Sequence, residues 1–180
     1  MVSDPNSSKS MRPLIRNGAQ GIETMITLQD RFVASHGAPL RVNGVDVVQM
    51  DRIHVRHGTV RVMAQAARAG QGIALKVPSG TITLSDGRET PVLHIWFDPG
   101  LPLDVMHVVN CRGGELRVWN IFRTVHPNGA VTEDAWTGNA GMAVVEREAH
   151  RRRYQCSPGS AASWEPQLDV IVEVAEVPQP

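Results

Sequence analysis

Tight-turn residues recur so often in this chain that they leave little room for long helices. From Leu40 onward, short segments with an apolar residue at every second position end at turn pairs such as Asn43-Gly44, Asp86-Gly87 and Pro99-Gly100. Parallel strands would need longer crossover connections than these turns allow. A turn about every eight to twelve residues is typical of antiparallel sheets. The sequence therefore predicts an all-β fold, mainly an antiparallel sandwich or barrel of about ten to twelve strands.

Two hairpins are the most specific local predictions. Residues 40–48 flank Asn43-Gly44, a pair that supplies the positive φ angles of a type I′ turn. Residues 52–65 alternate between apolar and polar side chains around His57-Gly58, and this pattern predicts a second, half-buried hairpin.

The N-terminal part of the chain has a different character. Residues 1–20 are polar and show no periodicity, so we expect a mobile tail. Residues 22–36 are predicted to form the one N-terminal helix, because their apolar side chains recur three or four positions apart, and Gly37 is expected to end it. The apolar positions are Ile22, Met25, Ile26, Phe32 and Val33. Residues 21–177 are expected to form a single β-rich domain.

Composition and charge exclude several classes of partner. The formal net charge is zero, so the chain lacks the broad basic surface that binds nucleic acid or anionic membranes. No segment approaches the roughly 18 apolar residues of a membrane span, and the N-terminus has no signal-peptide core. We therefore expect a cytoplasmic protein with no nucleic acid or membrane partner. Cys111 and Cys156 are expected to be free thiols there, although a disulfide between them stays open.

The central stretch, residues 91–145, contains three of the four tryptophans. Two of its predicted strands are apolar on both faces, unlike a strand with one face in water. In the first strand His94, Trp96 and Asp98 share the second face, and in the other strand Arg117, Trp119, Ile121 and Arg123 share it. These faces need a cover, which could be the N-terminal helix, a second subunit in a homodimer, or a bound ligand.

Candidate site residues come mostly from this stretch. Histidine titrates near neutral pH and often works with a carboxylate, so His94, His107 and Asp134 are the predicted catalytic groups. Trp96, Trp119, Asn120, Arg123 and Trp136 are the predicted ligand-binding residues. No metal site or cofactor is predicted, because His54 and His57, three apart on a strand, would point to opposite faces.

Two functions from different classes fit these observations. The first, which we favour, is a small-molecule-binding β-barrel or β-sandwich; as an enzyme it would be cofactor-free, of the cyclase, isomerase or hydratase type. The second is a non-catalytic protein-interaction module, such as an immunity-type inhibitor, an adaptor or an assembly subunit. Its anchors would be exposed Trp and Arg side chains, namely Trp119, Trp136, Trp164 and the run Arg151–Arg153.

Overall fold

In the computed structural model, which describes residues 26–177, these residues form one short helix and fourteen strands. The helix α1 spans Leu28–Ala34. The strands, in chain order, are β1 Leu40–Val42, β2 Val45–Val48, β3 Asp51–His54, β4 His57–Ala67, β5 Gln71–Lys76, β6 Gly80–Thr83, β7 Glu89–Thr90, β8 Val92–Trp96, β9 Asp104–Cys111, β10 Glu115–Val125, β11 Val131–Asp134, β12 Gly141–Arg147, β13 Arg151–Ser157 and β14 Leu168–Glu176.

The strands form two antiparallel sheets. The larger sheet has nine strands in the order β1-β2-β12-β13-β14-β4-β9-β6-β7. The smaller sheet has the order β11-β10-β5-β8, and β3 pairs with the first half of β10. The predicted all-β, mainly antiparallel fold is confirmed. Neither sheet closes into a barrel, so the sandwich is the form the chain adopts.

One hydrophobic core lies between the two sheets. The larger sheet contributes Val60, Val62, Val170 and Val172, all fully buried. The smaller sheet contributes Ile73, Leu75 and Val118, which are buried as completely. Because one cluster draws on both sheets, each sheet depends on the other to bury its apolar face.

The first predicted hairpin is confirmed. β1 and β2 pair antiparallel, with Val42 opposite Val45, and Asn43 and Gly44 have φ angles of 48° and 82°. These are the two positive angles that a type I′ turn requires.

The second predicted hairpin is wrong. β3 and β4 belong to different sheets: β3 pairs with β10, and β4 pairs with β14 and β9. Gly58, which suggested a turn, lies inside β4, where a Cβ would come within 2.0 Å of the Ala175 carbonyl oxygen. This glycine therefore allows β14 to approach closely, and the chain changes sheets at residues 55–56 without turning back on itself.

The helix is shorter than predicted. It begins after Thr27, whose hydroxyl accepts a hydrogen bond from the Asp30 backbone N–H, while the Asp30 carboxylate accepts one from the Thr27 N–H. This reciprocal capping box sets the start of the helix. The Gly37 N–H donates to the Phe32 carbonyl, 2.8 Å away, and closes the last turn as predicted. Ile22, Met25 and the predicted tail of residues 1–20 lie outside the described residues.

The helix α1 packs on the outer face of the larger sheet. Leu28 and Phe32 are buried there against Val47 and Ala143. Ile26 and Val33, which were expected on the apolar face of the helix, are exposed instead. The helix therefore does not cover the second face of the smaller sheet. No helix within residues 26–177 has the length and apolar character needed to cross a membrane.

Candidate functional site

The smaller sheet is strongly curved. Its edge strands β8 and β11 are separated by two strands, so in a flat sheet they would lie about 14 Å apart. Yet His94 Nδ1 on β8 is 2.5 Å from Glu133 Oε1 on β11. The outer face of this sheet is therefore concave. We call it the concave face, and its side chains are His94, Trp96, Trp119, Ile121, Arg123, Glu133 and Trp136.

Small residues on β5 allow this curvature. Gly72 and Ala74 are the outward-facing positions at the centre of the sheet, opposite Trp96 and His94 on β8. A Cβ on Gly72 would come within 3.0 Å of the Trp96 ring and 3.1 Å of Ile121. The larger side chains of β8 and β10 therefore meet above the middle strand, where a larger residue would keep them apart.

Two tryptophans line one side of the concave face. The rings of Trp119 and Trp136 lie 5.5 Å apart between centroids, tilted by 44°. Trp119 is only 9% exposed, whereas Trp136 is 41% exposed. Trp136 has a φ angle of 61°, which is unfavourable for a bulky residue. Its indole N–H donates to the Gln49 carbonyl, 3.0 Å away, and this bond together with the ring contact holds the strained conformation.

Arg123 is fixed over Trp96 on the same face. Its guanidinium carbon lies 4.0 Å from the centre of the Trp96 ring, and its Nη1 lies 2.5 Å from Asp98 Oδ2. The other Asp98 oxygen accepts a hydrogen bond from the Gly70 backbone N–H at 2.6 Å. The Gly70 N–H and, to a lesser degree, Arg123 lower the pKa of Asp98 below its ordinary value. The carboxylate therefore stays ionised and holds the guanidinium in place.

The His94–Glu133 pair is the group on this face that can exchange protons. The side chains are 38% and 43% exposed, so solvent or a ligand can reach them. When a neutral His94 ring carries its proton on Nδ1, its Nε2 atom has a free lone pair. A carboxylate in this position helps to orient the ring.

The structure brings five of the eight predicted site residues together. These are His94, Trp96, Trp119, Arg123 and Trp136. The other three lie elsewhere. Asn120 is buried on the core side of β10, where its side-chain N–H donates to the Ser157 carbonyl at 2.9 Å.

His107 and Asp134 both lie away from His94 and from the concave face. His107 lies on the core side of the larger sheet, opposite Val60, and desolvation by burial lowers its pKa. Asp134 pairs in register with Phe122 and so points away from the concave face, where it accepts a hydrogen bond from the Thr132 hydroxyl at 2.9 Å.

Sequence reasoning missed Glu133, the actual neighbour of His94. Its neighbour in the chain, Asp134, was selected from the same predicted strand instead. A signal was nevertheless present, because the Pro127-Asn128-Gly129 turn folds β11 back on β10 and places Glu133 opposite Arg123. Counting that register would have assigned Glu133 to the concave face and Asp134 to the opposite one.

The proposed interaction anchors are mostly occupied within the chain. Arg151 contacts Glu146 and Glu173, at 2.9 and 3.2 Å. Arg153 pairs with Asp169 at 2.8 Å, and Arg152 turns inward. The run of arginines is therefore neutralised by neighbouring carboxylates and does not form a basic patch.

Neither cysteine is placed to act as a nucleophile. Cys111 and Cys156 are free and fully buried. Burial raises the pKa of Cys111 to about 11 and that of Cys156 well above its ordinary value. Both thiols therefore stay protonated and unreactive. Among residues 26–177, no group of three His, Cys, Asp or Glu side chains is placed to hold a metal ion.

Comparison with known proteins gives no match: no family model, no curated protein and no solved structure matches this chain.

Proposed function

We propose that the concave face binds a small organic molecule, and that His94 and Glu133 transfer a proton to or from it. The observation that supports this most directly is the 2.5 Å contact between the two side chains, which the curvature of the sheet brings together from opposite edges. A histidine oriented by a carboxylate beside aromatic side chains is a common arrangement for general acid–base catalysis.

The charges on this face disfavour an anionic ligand. Arg123 is neutralised by Asp98, and the carboxylate of Glu133 faces His94. The partly exposed ring of Trp136 offers a flat apolar surface on which an unsaturated or cyclic molecule can stack. We therefore propose a neutral carbonyl compound as the substrate class.

In the proposed reaction, His94 Nε2 removes a proton from a carbon next to the carbonyl. Glu133 stabilises the imidazolium that forms, because its negative charge lies 2.5 Å from Nδ1. Return of the proton to another carbon of the same substrate completes an isomerisation. In a cyclisation, the carbanion attacks a second carbonyl group of the substrate, and the alkoxide that forms takes the proton back from His94. These steps need no groups beyond the pair and a bound substrate.

Solvent-deuterium exchange tests this proposal. The protein is incubated in heavy water with small ketones and enones, and proton NMR follows the loss of the α-proton signal. The same experiment is done with any molecule that native mass spectrometry finds bound to the protein after its recovery from cells. We expect exchange with the unmodified protein, and a fall of about 100-fold or more in His94→Gln. Glu133→Gln should lower the rate and leave binding, followed by tryptophan fluorescence, largely intact.

His126→Gln is the matched control. His126 lies in the turn between β10 and β11, and its ring hydrogen bonds to Thr132 and has no part in the His94–Glu133 pair. It should exchange at the normal rate. Equal rates in His94→Gln and His126→Gln would show that the pair has no catalytic role.

The interaction-module alternative has less support. Of its proposed tryptophan anchors, Trp119 is nearly buried and Trp164 packs beside α1, which leaves Trp136. Native mass spectrometry separates the alternatives. A bound mass of small-molecule size supports the proposed function, a bound polypeptide supports the module, and a doubled mass shows the homodimer.

We further propose a cytoplasmic location. Both cysteines are free, as they are in the reducing environment of that compartment.

A further inference from the structure

A cavity of about 580 Å³ lies where the loop after α1 meets the connection from β2 to β3. Its ionisable lining residues are His36, Asp51, Arg52 and Arg147. Among residues 26–177, Asp51 is the one acidic side chain in this lining, so the described basic groups outnumber the acidic ones. We call it the Asp51 cavity.

Asp51 itself is a buried carboxylate with three partners. The Tyr154 hydroxyl donates to its Oδ2 atom at 2.9 Å, and Arg147 Nη1 lies 3.2 Å from Oδ1. Arg152 Nε lies 3.7 Å from Oδ2, on a side chain that is only 11% exposed. One negative charge therefore faces two guanidinium groups, and the local charge is positive.

The excess positive charge is carried into the cavity lining by the Arg147 side chain. Arg152 is buried beside Asp51 and adds a second positive charge 3.7 Å from the carboxylate, beyond hydrogen-bond distance. Arg147 touches Asp51 with one nitrogen, is 53% exposed and lines the cavity. Most of its planar fork of N–H donors is left for another acceptor.

Arg52 adds a second cation to the same lining. Its ion-pair partner is Glu115, at 3.6 Å, but Glu115 lies much closer to Arg117, at 2.5 Å. Glu115 therefore forms its ion pair mainly with Arg117, and Arg52 is only weakly paired. Two guanidinium groups beside one cavity form a suitable pair of donors for a phosphate or carboxylate.

We propose that the Asp51 cavity binds an oxyanion group, a phosphate or a carboxylate, through Arg147 and Arg52. Asp51 acts as a positioning residue, since it holds the Arg147 guanidinium at the cavity. The inference does not rest on the proposed function of the concave face. The cavity and that face are connected through Gln49, which lines the cavity and whose backbone carbonyl accepts the hydrogen bond from Trp136.

Isothermal titration calorimetry with inorganic phosphate and, separately, with acetate tests the proposal, at an ionic strength held constant with sodium chloride. We expect at least one of the two anions to bind, and binding to weaken by about tenfold or more in Arg147→Gln and in Arg52→Gln, since each loses a charged donor. Arg147→Lys keeps the charge and loses the fork, so it should bind with intermediate affinity.

Arg41→Gln is the matched control, because Arg41 is an exposed arginine that pairs with Asp46 and lies outside the cavity lining. It should bind like the unmodified protein. Binding of phosphate alone identifies a phosphate-bearing ligand, and binding of acetate alone a carboxylate. The proposal is overturned if neither anion binds, or if both glutamine variants bind as tightly as the control. Should Arg147→Gln fail to fold, Arg52→Gln still decides, because that side chain is exposed and weakly paired.

Discussion

Asp51 shows what a single buried charge demands of its neighbours. Its carboxylate accepts the Tyr154 hydroxyl hydrogen bond, and burial together with that negative charge raises the pKa of Tyr154 far above its ordinary value. The phenol therefore stays protonated and acts as a hydrogen-bond donor to Asp51. Asp51, Tyr154 and Arg152 depend on one another, because each would be costly to bury alone.

Removing the Asp51 carboxylate should be costly. In Asp51→Ala, Arg152 loses its buried counter-charge and Tyr154 loses its acceptor, so we expect a loss of about 3 kcal/mol in the free energy of unfolding, measured with urea. Asp46→Ala removes an exposed carboxylate that pairs with Arg41 and should leave the stability nearly unchanged. Similar losses in both variants would mean that Asp51 is no more important than a surface acid.

His107 should make the stability depend on pH. Desolvation lowers its pKa in the folded protein below the ordinary value of 6.5, so the unfolded chain binds a proton more readily. Its contribution is therefore complete above about pH 6.5 and is lost as the pH falls below that value. Urea titrations between about pH 5 and 8 should show a smaller pH slope in His107→Gln than in the parent or in His126→Gln. An unchanged slope would argue against this assignment.

Local sequence patterns predict which face of a strand each site residue occupies, but not which residue of another strand it contacts. Alternation along β8 and β10 correctly placed His94, Trp96, Trp119 and Arg123 on second faces, because side-chain direction in a strand is a local property. Pairing of His94 with Glu133 depends on the curvature of the whole sheet, and no local pattern reports that. Asn120 directly follows Trp119, so the same alternation places it on the core side of β10, away from the concave face.

At the scale of the element, β5 is the strand that lets the smaller sheet curve. Its outward positions are small, and the backbone of β8 runs close above Gly72, with the Ile95 carbonyl oxygen 2.5 Å from where a Cβ would lie. A methyl group there would push β8 away from β5, and with it His94 away from Glu133.

Gly72→Ala should therefore destabilise the protein by about 2 kcal/mol, as overpacking does elsewhere, and widen the gap between His94 and Glu133. Thermal or urea unfolding measures the first effect, and the histidine NMR signals report the second. Gly113→Ala is the control, because the nearest atom to its Cβ would be 4.0 Å away. If the two variants were equally stable, β5 would have more room than the structure shows.

The elements themselves were predictable wherever a short segment determines the conformation. The β1–β2 hairpin follows from Asn43-Gly44 alone, since the turn type and the pairing are fixed within residues 40–48. β3 and β4 have an equally regular alternation, but each pairs with a strand distant in sequence. Local alternation reports which faces are buried and gives no information on the partner strand.

At the scale of the whole molecule, the two sheets share one core and should unfold together. Three of the four tryptophans lie on the smaller sheet or pack against it, so fluorescence follows mainly that sheet, while far-ultraviolet circular dichroism reports both. We expect the two signals to give the same urea midpoint. A fluorescence transition at lower urea concentration would show that the smaller sheet opens first.

The two buried cysteines allow the separation of the two sheets to be measured directly. Cys111 on β9 and Cys156 on β13 both face the shared core and have no accessible surface. An alkylating reagent can reach them only in molecules whose sheets have come apart, and in those molecules the thiols regain their ordinary acidity. The rate of labelling under native conditions therefore measures how often the sandwich opens, without any denaturant. Labelling of the two residues at a common rate would time the separation of the sheets as a single event.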